Sequence, residues 1–543
     1  MVGVWRPRRL APSTVAARAR TALRAHGAEV ALVGGLLLLG GILRFWALGS
    51  IPDVMSGDEG RIGSLSLNAA RDGINPFTTS FGHGGLYLWA TGLPLTWWGV
   101  DLTSLRLLSA LAGALTVLAT YLLARAMFGV AVAALAGLLV AVDHFHLHFS
   151  RLAVAGGIMD ALFATVAFWL LYRGVSANRR RDFVLSGVVM GLHCYVYSGA
   201  WLVVAIALAY ALLLAVCDWR RAAANGTNFA ALLGAVAVVG APMAYALGSG
   251  AEPFNAGDGV SIFQSGWLVE AASSSGRGIA DLLWQQISQA FLVFNYYPAK
   301  GFYEASLPIF NPLAGATLVL GAAYVLWHLR QPRCLLLALW VGVAVVVGGA
   351  ALVSPAESAY RVLLAFPAVA ILAALGAAEL VWLPLRAGVY GTRVAAGGLL
   401  GFALLVGAIN VNYYFREFMT TCRYEAGLTR IASRVGSYLG TLDRGYVAYA
   451  YGAPRFYYGV HPSVDFLSHQ LPVTAMDELG KPVATAVPEG LAPAGGVVFL
   501  FAPEREELHE QVRSRYPGGQ DLELRDCGET VMQVYRLPPP GQR

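Results

Sequence analysis

Two adjacent carboxylates, Asp58 and Glu59, stand between glycines in the segment Ser56-Gly57-Asp58-Glu59-Gly60, a few residues after the first long apolar run. A carboxylate held near a hydroxyl group can take up its proton, so this pair could act as a general base. An isolated acidic pair is more often solvated loop charge. The position of the pair at the start of a long polar stretch, residues 49–101, favours chemistry over packing.

A third carboxylate, Asp160, stands at the start of a later apolar run, residues 157–172. Ionisable groups at the edge of a membrane are costly and usually face the protein interior or a watery cavity. The alternative is an ordinary N-terminal helix position, where a negative charge complements the helix dipole. The pattern favours a functional role for Asp160.

Three histidines, His144, His146 and His148, precede Arg151 at one edge of the same region. His144 and His148 share a helix face, which is a spacing that metal ligands use. No second ligand pair lies nearby, and histidines at an interfacial helix end are commonly solvated. The sequence indicates no certain cofactor and leaves a divalent metal ion open.

These groups must be positioned by membrane helices. The chain has 543 residues, of which 57% are hydrophobic and 13% charged, and its mean hydropathy is +0.59. No soluble domain of this length buries so much apolar side chain, so the chain is a polytopic membrane protein. The net charge of +6 does not indicate nucleic-acid binding, because the arginines cluster in short loops, as membrane topology requires.

The arginine-rich residues 1–29 predict a cytoplasmic N-terminus, and Arg179, Arg180 and Arg181 give the strongest inside signal. Alternation from there gives about eleven transmembrane helices in residues 30–414, with the polar tail outside. Residues 49–101 and 248–307 are then the first and second outer loops. The predicted spans are residues 30–48, 102–124, 131–142 continuing towards 149, 157–172, two within 183–217 with a turn near 198–199, 229–247, 308–327, 335–353, 362–383 and 394–411.

The tail, residues 415–543, has the composition of a small extracytoplasmic α/β domain. Its Cys422 and Cys527 could pair if the tail faces an oxidising compartment. The predicted elements are helices over residues 424–442 and 504–516 and strands over 446–451, 497–501 and 531–537.

Several motifs follow one another along the chain. They are Asp58-Glu59, Gly82-His83-Gly84-Gly85-Leu86-Tyr87-Leu88-Trp89, Leu105 to Gly113, Phe149-Ser150-Arg151, Met159-Asp160, and Arg361 leading into Ala365-Phe366-Pro367-Ala368. In these motifs and their order the chain resembles the bacterial lipid-linked-sugar glycosyltransferases of the GT-C fold, which include the protein O-mannosyltransferase and aminoarabinose transferase families. The resemblance covers roughly the first 175 residues well and the later spans only by layout. One departure is that Gly84 and Gly85 replace the prolines usual in the second motif.

The resemblance implies an inverting enzyme on the outer face of the cytoplasmic membrane. Such an enzyme transfers a sugar from a polyprenyl phosphate to an acceptor hydroxyl on a glycan, lipid or protein. Asp58 is then the expected base, with Glu59 positioning or assisting it and Asp160 holding the acceptor or tuning Asp58.

The departing phosphate requires positive charge, for which Arg151 is the first candidate and Arg361 and Lys300 follow. Aromatic and histidine side chains near the outer face are expected to contact substrate. In the second outer loop, the tyrosines either anchor in the membrane interface or form a lid over the lipid-sugar site, as the corresponding loop does in such relatives. The expected substrate contacts are His83, His148, Tyr296, Tyr297 and Tyr303.

Two other functions fit the composition. A transporter or flippase of a lipid-linked glycan should place ionisable residues near the middle of the membrane, often on broken helices. The acidic residues here cluster at one surface instead, which favours the enzyme. A relative without catalytic activity is the third alternative, against which the motif residues Asp58, Arg151 and Asp160 argue.

Overall fold

The computed structural model describes residues 12–73, 77, 79–80, 82–154, 157–249, 261–355, 358–425, 427–443, 445–459, 461–468, 471–488, 490 and 495–539. Side chains are described from residue 27 onwards, except those of residues 79 and 80. The architecture is mainly helical, with a small mixed sheet near the C-terminal end. The helices are α1 (Pro12–Phe45), α2 (Gly57–Asp72), α3 (Gly85–Trp97), α4 (Leu102–Phe128), α5 (Val130–Val142), α6 (His144–Ser150), α7 (Gly157–Ala177), α8 (Arg180–His193), α9 (Ala200–Cys217), α10 (Trp219–Gly248), α11 (Trp267–Ser275), α12 (Ile279–Leu292), α13 (Pro312–Trp327), α14 (Pro332–Val345), α15 (Phe366–Arg386), α16 (Thr392–Asn412), α17 (Leu428–Leu439), α18 (Pro462–Leu467) and α19 (Glu506–Arg515).

Eight helical stretches of the described residues are long and apolar enough to cross a membrane, and a ninth is formed if the bent pair α5 and α6 counts as one. The predicted polytopic helical fold is therefore confirmed. The other two predicted spans coincide with α13, which is apolar but has 16 residues, and α8, which has 14. Both are shorter than a usual membrane span of about 20 residues.

The bend between α5 and α6 is 58° and has a local cause. Asp143 leaves the helical conformation, and its carboxylate accepts hydrogen bonds from the backbone amides of Phe145 and His146 at 3.0 and 3.3 Å. This is the N-cap arrangement, which starts a new helix in a new direction. The bend turns the segment with the three histidines and Arg151 away from the axis of α5.

The centre of the bundle is the span Ala359–Arg386, a 3-10 segment (Ala359–Ala365) that runs into α15 and is 94% buried over its most apolar window. It packs closely on α13 because Gly321 and Gly376 face the opposite backbones. A Cβ atom at either glycine would overlap a carbonyl of the other helix. Helices α14 and α16 are each prolonged by a π-helical segment, Val346–Ala350 and Tyr413–Phe418.

The C-terminal domain is the predicted α/β structure. Its sheet has the order β4-β3-β5-β7-β6, in which β3 is parallel to β4 and β5, and β7 is antiparallel to β5 and β6. Helix α17 packs on one face of this sheet and α19 on the other. The strands are β1 (Thr79–Ser80), β2 (His83–Gly84), β3 (Val447–Tyr451), β4 (Val473–Ala475), β5 (Val497–Phe501), β6 (Gln520–Asp526) and β7 (Glu529–Leu537).

The boundaries of this domain differ from the prediction in two respects. Helix α17 is shorter than predicted, since Gly427 at its start has a φ of 73° and Gly440 ends it. Strands β4 and β6 and the short helix α18 were not predicted. Strand β4 has only three residues, and β6 is a polar edge strand whose side chains are mostly exposed, so neither carries an apolar alternation.

Candidate active site

The acidic pair begins helix α2, where it is held rigidly. Ser56 caps the helix by accepting a hydrogen bond from the amide of Glu59 at 3.1 Å, and the Glu59 carboxylate accepts one in return from the amide of Ser56 at 3.4 Å. This reciprocal capping box satisfies two amides that a helix start leaves without partners. The first turn of α2, which also carries Asp58, is thereby fixed.

Glu59 itself lies in the interior. Its carboxylate forms a bidentate ion pair with Arg106 of α4, with distances of 2.8 and 2.9 Å, and both side chains are fully buried. It also accepts a hydrogen bond at 2.9 Å from the amide of Ala153. Glu59 therefore joins the first outer loop to α4 and to the segment after α6. These contacts favour a positioning role for Glu59.

Asp58 points the other way and is exposed to solvent. Partial desolvation by the surrounding protein raises the pKa of its carboxyl, an effect that the neighbouring Arg61 partly offsets. A carboxylate with a raised pKa is a better base than a free one. Asp58 thus combines a rigid backbone, an accessible side chain and increased basicity.

Asp160 lies at the first turn of α7 and is buried. Its carboxylate and His193 Nε2 are 2.7 Å apart, and it packs against Gly199 in the turn between α8 and α9. The short approach to Gly199 requires glycine there, because a Cβ atom would overlap the carboxylate. Asp160 is therefore oriented by His193, a partner that the sequence did not indicate.

Aromatic side chains of the first outer loop pack against the turn between α8 and α9, which also contacts Asp160. His83 stacks on Tyr87 and contacts Tyr197, with ring centroids 5.1 Å apart in each case. Burial raises the pKa of the Tyr197 hydroxyl; Asp160 adds to this increase, while Arg361 opposes it. His83 thus packs on Tyr197, and Asp160 and Arg361 lie near enough to this side chain to act on it electrostatically.

Arg151 is fully buried, and all of its guanidinium nitrogens are used by the protein. They donate to backbone carbonyls at the end of α1 and in the following turn, among them Leu43, Ala47 and Ile51, at 2.7–3.0 Å. This geometry leaves no donor for a substrate. It does not support the prediction that Arg151 binds the donor phosphate, and it indicates a structural role.

The three histidines are buried and turn in different directions. His144 Nδ1 lies 2.7 Å from the hydroxyl of Tyr303, His146 contacts Arg44 at 2.8 Å, and His148 Nε2 lies 2.6 Å from the carbonyl of Phe302. Across the described ranges, no group of three or more His, Cys, Asp or Glu side chains is arranged to hold a metal ion. The geometry therefore gives no support to a metal site at these histidines.

Phe302 and Tyr303, in the described part of the second outer loop, contact two of the three histidines. Tyr303 is buried and stacks on His148, with ring centroids 4.2 Å apart. Tyr296 is 69% exposed and forms an edge contact with Tyr297. Tyr303 thus belongs to the packed interior, whereas the Tyr296–Tyr297 pair lies at the surface.

An open cavity of about 640 Å³ lies between this loop and the C-terminal domain. The ring of Phe302 in its wall contacts Tyr360, on which the guanidinium of Arg361 is stacked. The cavity therefore adjoins the cluster around Tyr197. It is lined by Lys300, Phe302, Glu304, Ala305, Arg423 and Glu425.

One wall residue of this cavity, Glu425, lies within electrostatic reach of the acidic pair. Burial raises the pKa of the Glu425 carboxyl to about 7; Thr429 opposes this shift by a hydrogen bond, and the negative charges of Glu59, Asp58 and Glu304 add to it. Asp58 therefore acts on a residue of the wall that Lys300 also lines. Neither Glu425 nor Arg423 was predicted, because the tail carries no motif and only the disulfide to Cys527 marks this segment.

Comparisons with known proteins agree with this architecture. Residues 83–245 match the family model described as dolichyl-phosphate-mannose-protein mannosyltransferase. Among curated proteins, none matches the chain by direct comparison.

Two solved structures share the fold. ArnT from Cupriavidus metallidurans bound to undecaprenyl phosphate is similar with a TM-score of 0.52 and 16% identity, over 94% of this chain and 98% of that one. The Archaeoglobus fulgidus oligosaccharyltransferase in complex with Zn and sulfate has a TM-score of 0.51 and 13% identity, over 92% of this chain and 72% of that one. At these identities the likeness establishes the fold.

Proposed function

We propose that this chain, a glycosyltransferase of the GT-C fold, transfers a sugar from a polyprenyl phosphate to an acceptor hydroxyl with inversion, using Asp58 as the base. One observation carries the assignment of the base. Of the two adjacent carboxylates, Glu59 is fully buried in an ion pair, whereas Asp58 is accessible on the same fixed helix turn.

In this reaction the acceptor oxygen attacks the anomeric carbon of the sugar while the bond between that carbon and the phosphate oxygen breaks. The electron pair of that bond leaves with the phosphate, and the proton of the acceptor hydroxyl passes to Asp58. Phosphate is already a fair leaving group, so the transition state depends on positioning and on positive charge near the phosphate more than on acid catalysis.

Other predicted residues take supporting roles in the proposal. Asp160, oriented by His193, and His83 lie beside Tyr197, where they would hold the sugar or the acceptor. Arg361 and Lys300 supply positive charge, and Lys300 lines the open cavity. The surface pair Tyr296–Tyr297 would cover the donor.

We place the site on the outer face of the cytoplasmic membrane. The support is the arginine pattern of the short loops and the disulfide between Cys422 and Cys527, since disulfides persist in oxidising compartments.

The test is sugar transfer by membranes that carry the protein, supplied with radiolabelled polyprenyl-phosphate sugars. We expect Asp58→Asn to lower transfer at least ~100-fold, consistent with loss of a general base, without a change in the amount of folded protein. Asp72→Asn, at the exposed far end of α2, is the matched control and should transfer at the wild-type rate. Equal transfer by Asp58→Asn and wild type would remove Asp58 from the mechanism.

A further inference from the structure

The C-terminal domain contributes a short segment to the wall of the open cavity. Residues Cys422 to Glu425 follow the last membrane helix, and Arg423 and Glu425 line the cavity together with Lys300 and Glu304 of the second outer loop. Two separate parts of the chain therefore enclose one space of about 640 Å³.

This segment is held in place from several sides. Cys422 is bonded to Cys527 of the C-terminal domain, the ring of Tyr424 is buried against His148 at 5.0 Å, and Arg430 donates a hydrogen bond to the Tyr424 carbonyl at 3.1 Å. Cys422 and Glu425 both have left-handed backbone conformations, with φ of 54° and 53°. Non-glycine residues adopt this conformation rarely, and such sites are concentrated where function requires them.

The two cations of the cavity differ from Arg151, the first candidate for phosphate binding. Within the described part of the chain, neither Lys300 nor Arg423 forms an ion pair, and both are exposed. Arg151, in contrast, donates all its hydrogens to backbone carbonyls. A guanidinium and an ammonium that line one cavity from separate segments of the chain can bind a phosphate group together.

We propose that Arg423 and Lys300 together bind the phosphate of the lipid-linked sugar, so that the C-terminal domain completes the donor site, and that deprotonation of Glu425 opposes this binding. The inference rests on the proposed function. It assigns to the C-terminal domain a direct contact with the donor.

The charge of Glu425 makes this binding dependent on pH. The charged or titratable groups around Glu425 are Asp58 and Glu59 of α2, Glu304 and Lys300 of the second outer loop, and its neighbours Arg423 and Tyr424. Since the pKa of Glu425 is raised to about 7, it gains a proton below this pH. The protonated form removes one negative charge next to the phosphate, so the factor by which Glu425 weakens binding should be smaller at pH 6 than at pH 8.

The experiment measures binding of decaprenyl phosphate to the purified full chain in detergent. We expect Arg423→Gln and Lys300→Gln each to weaken binding at least ~10-fold at pH 6.5, as loss of a charged hydrogen bond to phosphate should. Arg515→Gln, at the end of α19 on the opposite face of the sheet, is the control and should bind as wild type does. Glu425→Gln should bind more tightly than wild type at pH 8 and lose most of this advantage at pH 6, a ratio in which the titration of the phosphate itself cancels.

The outcomes separate this inference from the proposed function. If wild type binds decaprenyl phosphate and transfers sugar but the Arg423 and Lys300 variants bind equally well, the inference is wrong and the proposed function stands. If phosphatidate competes as effectively as decaprenyl phosphate, the cavity holds a bulk lipid headgroup and the donor assignment is overturned. If wild type neither binds polyprenyl phosphate nor transfers sugar, both fail.

Discussion

Two carboxylates that are adjacent in the sequence have opposite surroundings in the structure. Glu59 is enclosed with Arg106 at 0% side-chain exposure for both, while Asp58 faces the solvent. The difference follows from helix geometry, because consecutive residues point about 100° apart around a helix axis. One residue of the pair can therefore anchor the helix while the other reaches substrate.

Replacement of Glu59 by Gln is expected to destabilise the fold, because it leaves the Arg106 charge buried without its counterion. Breaking such a pair typically costs about 3–5 kcal/mol. Thermal unfolding in detergent should show a clearly lower midpoint for Glu59→Gln, whereas Asp58→Asn should unfold at the wild-type temperature. Equal midpoints for all three proteins would contradict the structural role of Glu59.

The types of the site residues were predictable, but their partners were not. The motif around Asp58 and Glu59 and the position of Asp160 pointed to one face of the membrane. Which cations remain free could not be predicted, because the burial of Arg151 depends on backbone carbonyls 100 to 108 residues earlier in the chain. Arg423 carried no signal, because its position depends on the tertiary contacts of Tyr424.

At the scale of elements, helices were predictable wherever their apolar runs were long, and the break between α8 and α9 falls at the predicted turn near Gly199. The surface on which the C-terminal domain packs was not predictable. Helix α18 rests on α2 at Gly60, where a Cβ atom would lie 2.5 Å from the backbone of Ser463, and at Gly63, where it would lie 2.6 Å from the ring of Phe466. The glycines three residues apart indicate a flat helix face but not what covers it.

Replacement of Gly60 by Leu should therefore separate α18 from α2 and impair the site beside Asp58. We expect faster release of a C-terminal fragment in limited proteolysis and at least a ~10-fold loss of sugar transfer, because small displacements of catalytic groups are costly. Gly226→Leu, on an exposed face of α10 where an added Cβ atom would meet nothing within 4 Å, should change neither. Unaltered proteolysis of Gly60→Leu would show that the contact does not hold the domain.

At the scale of the whole molecule, the predicted orientation of the chain in the membrane can be tested with one native cysteine. Cys217 is free and exposed at the end of α9, next to the predicted inside loop, while Cys194 and Cys334 are buried and the other two cysteines form the disulfide. A membrane-impermeant maleimide added to intact cells should leave Cys217 unlabelled and should label it after permeabilisation. A Ser514→Cys variant, exposed on α19, should be labelled in intact cells. Labelling of Cys217 from outside would invert the proposed topology.

The contacts of Arg151 also impose an order on biogenesis. The last carbonyls of α1 accept hydrogen bonds from the side chain of Arg151, which lies up to 108 residues further along the chain. While the ribosome has delivered only α1, the carbonyls of Leu43 and Arg44 have no such donor, and a helix end in this state is incomplete. Helix α1 therefore reaches its final form only after Arg151 has been synthesised.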